Sequence, residues 1–213
     1  MNALALFATA KRSSSTATRL KSSVIHELQM STVHRLPDSI QTARLALREP
    51  RASDAVALFD AYTQDAEVTR YMTWRPHTSL AETESFIAGC VRDWASGARL
   101  AYILAFPDSP ERAIGVLDAR LRAHIVDIGY VLARAHWGQG LMPEAIGALA
   151  EAALSTPGLF RVQATCDVDN RPSARALEKS GFTREGRLER YIVHPNIGPD
   201  PRASFLYARC RLP

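Results

Sequence analysis

Residues 125–144 read IVDIGYVLARAHWGQGLMPE. The stretch opens as a strand, because Ile125, Val126, Ile128, Tyr130, Val131 and Leu132 are β-branched, aromatic or apolar. It breaks into a short loop, Ala135 to Leu141, that carries Gly138 and Gly140. It resumes as a helix with Pro143 in the first turn, where a missing N–H costs little. Met142, Ile146, Leu149 and Ala153 continue at helical spacing. Strand, glycine loop and helix N-terminus together make an anion-binding device, with loop N–H groups and the positive end of the helix dipole aimed at one spot. Two glycines without Cβ atoms let a bulky ligand approach the backbone. A simple turn would also explain them, since a lone G-x-G is a weak signal. Pro143 stands where a dinucleotide fingerprint has its third glycine, and no Gly-Lys-Ser/Thr follows as in a Walker loop.

Outward from this stretch, Leu100–Phe106 and Ala113–Leu121 read as strands joined by a turn at 107–110, and His124 marks the next turn. Downstream, Pro157-Gly158 ends the helix, and Phe160–Cys166 is a strand. Asp167–Asn170 is a polar turn, Pro172–Lys179 a helix, and Thr183–Tyr191 and Phe205–Arg211 the last strands. Upstream, Ala43–Arg48 alternates as a short strand. Ser53 is placed to cap a helix through Thr63, and a second helix spans 79–95, stopped by Gly97. Residues 65–77 read as an aromatic loop carrying Tyr71 and Trp74. The order is strand, two helices, three strands, helix, strand, helix, two strands: one mixed α/β domain.

Composition bounds the function. No run approaches 18 apolar residues, so no membrane helix is expected. Three widely spaced cysteines without a C-x-x-C pair suit free thiols in a reducing cytoplasm, with Cys166 in the core. The net charge of +4 is concentrated in residues 1–42, which hold five basic and two acidic residues; the remainder has 21 basic and 20 acidic and is near neutral. A nucleic-acid-binding domain would rest on this tail alone and is not expected. Residues 1–38 are expected to be a disordered tail and 39–213 the folded domain, with Met30 as an alternative start. Six histidines show no metal-ligand spacing, so no metal is expected.

The runs IGYVLARAHWGQGLMPEA (128–145) and DVDNRPSARALEKSGFTREGRL (167–188) resemble the GNAT superfamily of N-acetyltransferases. The opening TARLALREP (42–50) and closing SFLYARCRL (204–212) bring the likeness closest to the ribosomal-protein N-terminal-alanine acetyltransferase branch. The resemblance implies a single GNAT-like α/β domain, with a mixed central sheet of about six to seven strands flanked by about four helices. It implies acetyl-CoA as the acyl-donor substrate. The superfamily loop usually begins with Gln or Arg; Ala135 stands here and leaves only the backbone cradle.

By that resemblance the pyrophosphate sits on the backbone of His136, Trp137, Gly138, Gln139, Gly140 and Leu141. The pantetheine arm lies along Tyr130, Val131 and Leu132, with a nearby N–H polarising the thioester carbonyl. Asn170 contacts the arm or the substrate backbone, although capping and Pro172 alone explain the helix start. Arg175, with Arg171 and Lys179, is a candidate to bind the adenosine 3′-phosphate, the alternative being a solvated helix face. Many relatives carry a thiolate-protonating tyrosine where Glu178 stands, and Ser173 is the replacement expected. Asp127 and Glu144 are the candidate bases, though Glu144 would also complement the helix dipole; Glu189 and His194 are further candidates. Tyr71 and Trp74 are candidate substrate contacts.

The expected reaction is direct acetyl transfer to a primary amine in a ternary complex, with a protein or peptide N-terminus as acceptor. A small-molecule amine acetyltransferase and a catalytically weak CoA-binding regulatory module are the alternatives. No membrane or nucleic-acid partner is expected, and a homodimer is left open.

Overall fold

Thr42 folds the first extended segment back on itself. Its N–H donates to the Leu45 carbonyl at 2.9 Å, and its Oγ1 accepts the Leu45 N–H at 2.8 Å. The single strand expected at 43–48 is therefore a hairpin of β1 (Ser39–Gln41) and β2 (Ala46–Arg48). This turn takes the strand count to eight. The computed structural model describes residues 35–212, so most of the expected 1–38 tail, and Met30 with it, lies outside the described residues. Leu36 is fully buried in the core, and the Tyr102 hydroxyl donates to the Pro37 carbonyl at 2.6 Å.

After β2 come α1 (Asp54–Leu58), a π-helical turn (Phe59–Thr63) and α2 (Ala66–Thr69). Ser53 makes no side-chain cap. Asp54, the first helical residue, instead turns its carboxylate back on the preceding loop: it accepts the Arg51 N–H at 2.7 Å and a bidentate pair of bonds from Arg48 at 2.9 and 2.6 Å. The short α2 lies inside the segment read as loop and is capped by Asp65, which accepts the Glu67 N–H at 3.0 Å. Next is α3 (Leu80–Ser96), ended as expected by Gly97 in the left-handed conformation.

The rest runs β3 (Leu100–Ala105), β4 (Gly115–Arg122), β5 (Ile125–Leu132), α4 (Leu141–Ser155), β6 (Arg161–Asp167), α5 (Arg171–Lys179), β7 (Thr183–Ile192) and β8 (Arg202–Cys210). The mixed sheet has the order β1-β2-β3-β4-β5-β6-β8-β7, with β5–β6 its parallel pair. Period-2 alternation separates two cores. Val126, Ile128 and Leu132 join the buried faces of α4 and α5 on one side; Val116 and Val131 join those of α1 and α3 on the other.

One discontinuity positions the site. β5 pairs with β4 along its whole length, but with β6 only over Ile125–Asp127. From Ile128 onward the two strands part, while β6 stays paired with β8 through Asp167. A gap therefore opens between the C-terminal halves of two adjacent parallel strands, beside the N-termini of α4 and α5. Open α/β sheets bind ligands in crevices beyond the carboxyl ends of their strands.

Candidate active site

The loop from β5 to α4 begins as a tight turn, in which His136 N–H donates to Ala133 O and Trp137 N–H to Arg134 O. Gly138 and Gly140 then adopt φ of +74° and +76°, a region costly for residues with a Cβ. The N–H groups of Gly138, Gln139, Gly140, Leu141 and Met142 donate to no acceptor among the described residues. Their free row sits on the N-terminus of α4 and meets the requirements of a diphosphate seat. His136 and Trp137 use their N–H groups within the turn, so the free row runs from Gly138 to Met142. A Cβ on Gly138 would meet nothing within 4 Å, so the seat opens outward there.

A clamp from across the sheet holds this loop. Glu144 accepts from Thr42 Oγ1 at 2.6 Å, from Arg44 N–H at 2.9 Å and from Arg44 Nε at 2.7 Å. Arg44 Nη1 also donates to the Gln139 carbonyl at 2.9 Å. Partial burial alone would raise the Glu144 carboxyl; the bonds from Thr42 and Arg44 and the Arg44 charge bring it below its ordinary range. Glu144 is thus fully engaged as an anchor. Arg44, about a hundred residues away in sequence, gave no signal for a place beside the seat.

Along the gap, strand alternation decides which backbone groups are free. Ala133 N–H donates to Ile114 O, so Val131 and Gly129 bond toward β4, while Ile128, Tyr130 and Leu132 turn their N–H and C=O groups to the opening. The Leu132 carbonyl is taken by the Trp137 indole N–H at 2.8 Å, which closes that end. Tyr130 and Leu132, rather than Val131, thus present the unpaired edge.

On the α4/α5 face, Asn170 caps α5 by accepting the Ser173 N–H at 3.3 Å. Ser173 Oγ lies 2.7 Å from the Tyr130 hydroxyl. Burial raises the Tyr130 hydroxyl above its ordinary value and pushes the nearby Cys166 thiol up to about 11, so both are neutral near pH 7. The Tyr130 side chain was not singled out as a partner of Ser173, because only folding brings residues 130 and 173 together. Glu178 accepts from Tyr207 Oη at 3.0 Å. Arg175 lines a groove of about 280 Å³ with Arg171, Arg184 and Tyr207, between α5 and β7–β8.

On the opposite face, Asp127 accepts from Gln163 Nε2 at 2.6 Å and lies 3.6 Å from Arg122 Nε. Glu189 pairs with Arg187 on β7 at 2.6 Å. Farther along, Tyr71 stands edge-on to His194 with ring centroids 6.0 Å apart. Asn196 Nδ2 donates to the Thr69 and Trp74 carbonyls at 2.6 and 2.8 Å, tying the 69–74 segment to the β7–β8 loop. The two loops that hold Tyr71 and Trp74 on one side and His194 on the other therefore form one wall. Among the described residues no group of three His, Cys, Asp or Glu side chains could hold a metal ion, and no helix is long and apolar enough to cross a membrane.

A sequence model of the acetyltransferase (GNAT) domain matches residues 44–183, from the β1–β2 turn into β7. YoaA of Bacillus subtilis, described as an uncharacterized N-acetyltransferase, is 30% identical over 155 residues, which cover 72% of this chain and 87% of that protein. The chain belongs to the GNAT acetyltransferase family. Its fold recurs among solved structures, two of which illustrate it. The microcin C7 self-immunity acetyltransferase MccE, in complex with acetyl-CoA and AMP, superposes with a TM-score of 0.72 at 22% identity, covering 84% of this chain and 99% of that one. RimL, a ribosomal alpha-N-protein acetyltransferase in complex with coenzyme A, gives 0.70 at 24% identity, covering 81% and 97%.

Proposed function

We propose that this GNAT acetyltransferase takes acetyl-CoA as acyl donor and acetylates a primary amine, with a protein or peptide N-terminus as the preferred acceptor. The observation that carries the reading is the free row of N–H groups from Gly138 to Met142, standing at the mouth of the gap between β5 and β6. The chain's residues suit the donor. The row suits a diphosphate. The Tyr130–Leu132 edge suits a pantetheine arm added as a partial strand. Arg44 brings a cation to the loop whose first position, Ala135, has none. The preference for an N-terminus rests on the likeness to RimL, with the wall built by Tyr71, Trp74 and the β7–β8 loop as the surface that would meet a chain end.

Transfer requires a neutral amine, a polarised thioester carbonyl and a protonated leaving sulfur. The Tyr130 N–H, at the unpaired edge, is the carbonyl-polarising donor. Ser173 Oγ is the proton donor to sulfur, with the Tyr130 hydroxyl at 2.7 Å replenishing it. Glu144 serves as an anchor of the loop in this scheme. Asp127 serves in this scheme at the closed end of the gap, where it accepts from Gln163 at the last paired position of β5 and β6.

Turnover of acetyl-CoA with a mixed panel of peptides and small amines tests the reading. Peptides that start with Ala, Ser or Met should be acetylated faster than polyamines, aminoglycosides or free amino acids. Preference for a small amine would move the acceptor class, and acetyl-CoA binding without any turnover would favour a regulatory module. Ser173→Ala should lower kcat on the order of 100-fold with acetyl-CoA binding intact; an unchanged kcat would remove Ser173 from the mechanism.

A further inference from the structure

We propose that His194, beside Asp167, takes the proton from the acceptor amine, and that Ser204 completes the pocket that holds this amine; the inference rests on the acyl-transfer reading above. Its basis is a set of orphaned polar atoms. His194 is only 4% exposed, yet neither ring nitrogen has a hydrogen-bond partner among the described residues. The same is true of Ser204 Oγ, at 1% exposure. Both border one carboxylate. His194 Nε2 lies 3.6 Å from Asp167 Oδ2, and Ser204 stands directly opposite Asp167 in the β6–β8 register. Buried polar groups are rarely left unpaired. Two buried side chains with unpaired polar atoms beside one buried acid mark a place built for a polar guest, and an amine offers the N–H donors that an imidazole nitrogen and a hydroxyl accept.

The pocket also lies where an amine is needed. Along β6, Cys166 faces α5 and Ser173, so Asp167 faces the other side, with Thr165 and Gln163. The β5–β6 gap runs beside Thr165 and Asp167. The Ser173–Tyr130 pair borders it from one face and His194 from the other. An amine entering beside Tyr71 and His194 meets the thioester from the face opposite the proton donor.

The charged and titratable groups around His194 are Asp167 on β6, Arg202 on β8, Asp169 through Arg202, and Tyr71 beyond α2 with Arg70 over its ring. Asp167 has firm partners of its own: Arg202 Nε at 2.6 Å and the Asp169 N–H at 2.9 Å. It is therefore a fixed negative charge 3.6 Å from the imidazole, placed to stabilise an imidazolium, and Tyr71 stands edge-on to the ring. The other candidate bases are already engaged: Asp127 by Gln163, Glu144 by Arg44 and Thr42, Glu189 by Arg187.

The proton balance is as follows. The acceptor arrives as an ammonium ion, and an imidazole nitrogen of His194 takes one proton and later releases it to solvent. The freed lone pair attacks the thioester carbonyl, the C–N bond forms and the C–S bond breaks. The sulfur takes a proton from Ser173, and the second N–H proton lost by the new amide balances it. The products are the acetamide, the CoA thiol and one proton.

The test compares wild type, His194→Gln and His194→Asn, with acetyl-CoA and the panel peptide that the wild type acetylates fastest, from pH 6.5 to 9.5. Both variants should show the wild-type thermal shift with acetyl-CoA. At pH 7 their kcat/KM should fall about 100-fold or more. The deficit should shrink to less than about tenfold at the top of the range, because an α-amine with pKa near 8 then loses its proton unaided. Ser204→Ala should raise KM for the peptide more than it lowers kcat. A loss of the same size at every pH, or no loss, would overturn the assignment. A wild type that shows neither thermal shift nor turnover would remove the acyl-transfer reading itself, whereas a fully active His194→Gln removes only His194.

Discussion

Gly138→Ala probes the seat with a cost that follows from geometry. Gly138 has φ +74° and a Cβ there meets nothing within 4 Å, so the substitution introduces backbone strain without a clash. Holding an L-residue in the left-handed region costs about 1–2 kcal/mol. For a folded domain of this size the melting temperature should fall by roughly 2–8 °C. Gly97→Ala is the matched control: it has φ +73°, the same open surroundings, and a position at the end of α3 outside the seat. Acetyl-CoA at about 100 times its dissociation constant should stabilise the wild type by roughly 2.7 kcal/mol, or on the order of 5–10 °C. Gly97→Ala should keep that increment in full. Gly138→Ala should lose most of it, because a loop relaxing out of the left-handed conformation turns its N–H groups away from a common point. Differential scanning fluorimetry of the three proteins, with and without ligand, reads both quantities. Equal apo losses with the full ligand increment in both variants would refute the assignment of the glycine loop as the donor seat.

Asp54→Ala leaves the 8%-exposed Arg48 guanidinium without its bidentate partner, and should cost about 3–5 kcal/mol in urea unfolding; a loss below about 1 kcal/mol would contradict the role given to this pair. Gly115→Ala places a Cβ 2.5 Å from Val131 O and 3.2 Å from Leu132 Cα, so β4 or β5 has to move. It should cost about 1–3 kcal/mol and lower kcat more than acetyl-CoA affinity, because the displaced stretch is the gap edge; unchanged kcat would refute this. The acid limb of stability follows from Glu144 and Asp167. For Asp167, burial alone would raise the carboxyl, but Arg202 and the Asp169 N–H hold it below its ordinary value, as Arg44 and Thr42 do for Glu144. A carboxyl lowered by folding stabilises the native state above its unfolded pKa, 4.5 for Glu and 3.8 for Asp, and that stabilisation is lost as pH falls through the lower folded value. Unfolding free energy should therefore drop from about pH 4.5 downward, less steeply in Glu144→Gln; a rise on acidification would contradict it.

Local chemistry made much of the chain legible before folding. The alternation in Ile125–Leu132, the 3.6-residue spacing from Met142 to Ala153, Gly97 as a helix stop and Asn170 as a helix cap each act over a few residues, and each stands where the pattern put it. Short pieces were less visible. β1 and α2 have three and four residues, too few to show a period, and they depend on Thr42 and Asp65 side-chain bonds. Ser53 has the side chain of a helix cap but makes no such bond; the start of α1 is fixed by Asp54, whose carboxylate pairs with the buried Arg48, a contact that only folding brings about.

The amino-acid order by itself determined the glycine loop, the strand before it and the helix after it, because their signals are intrinsic to backbone conformation and to neighbouring side chains. Tertiary structure alone decided the gap, since β6 leaves β5 after Asp127 to stay with β8, a strand some forty residues later. It also decided the clamp of Glu144 by Thr42 and Arg44, the meeting of Tyr130 with Ser173, and the burial of His194 against Asp167. Each of these joins residues whose separation in the chain carries no local signal, and only the pairing order of the sheet brings them within reach.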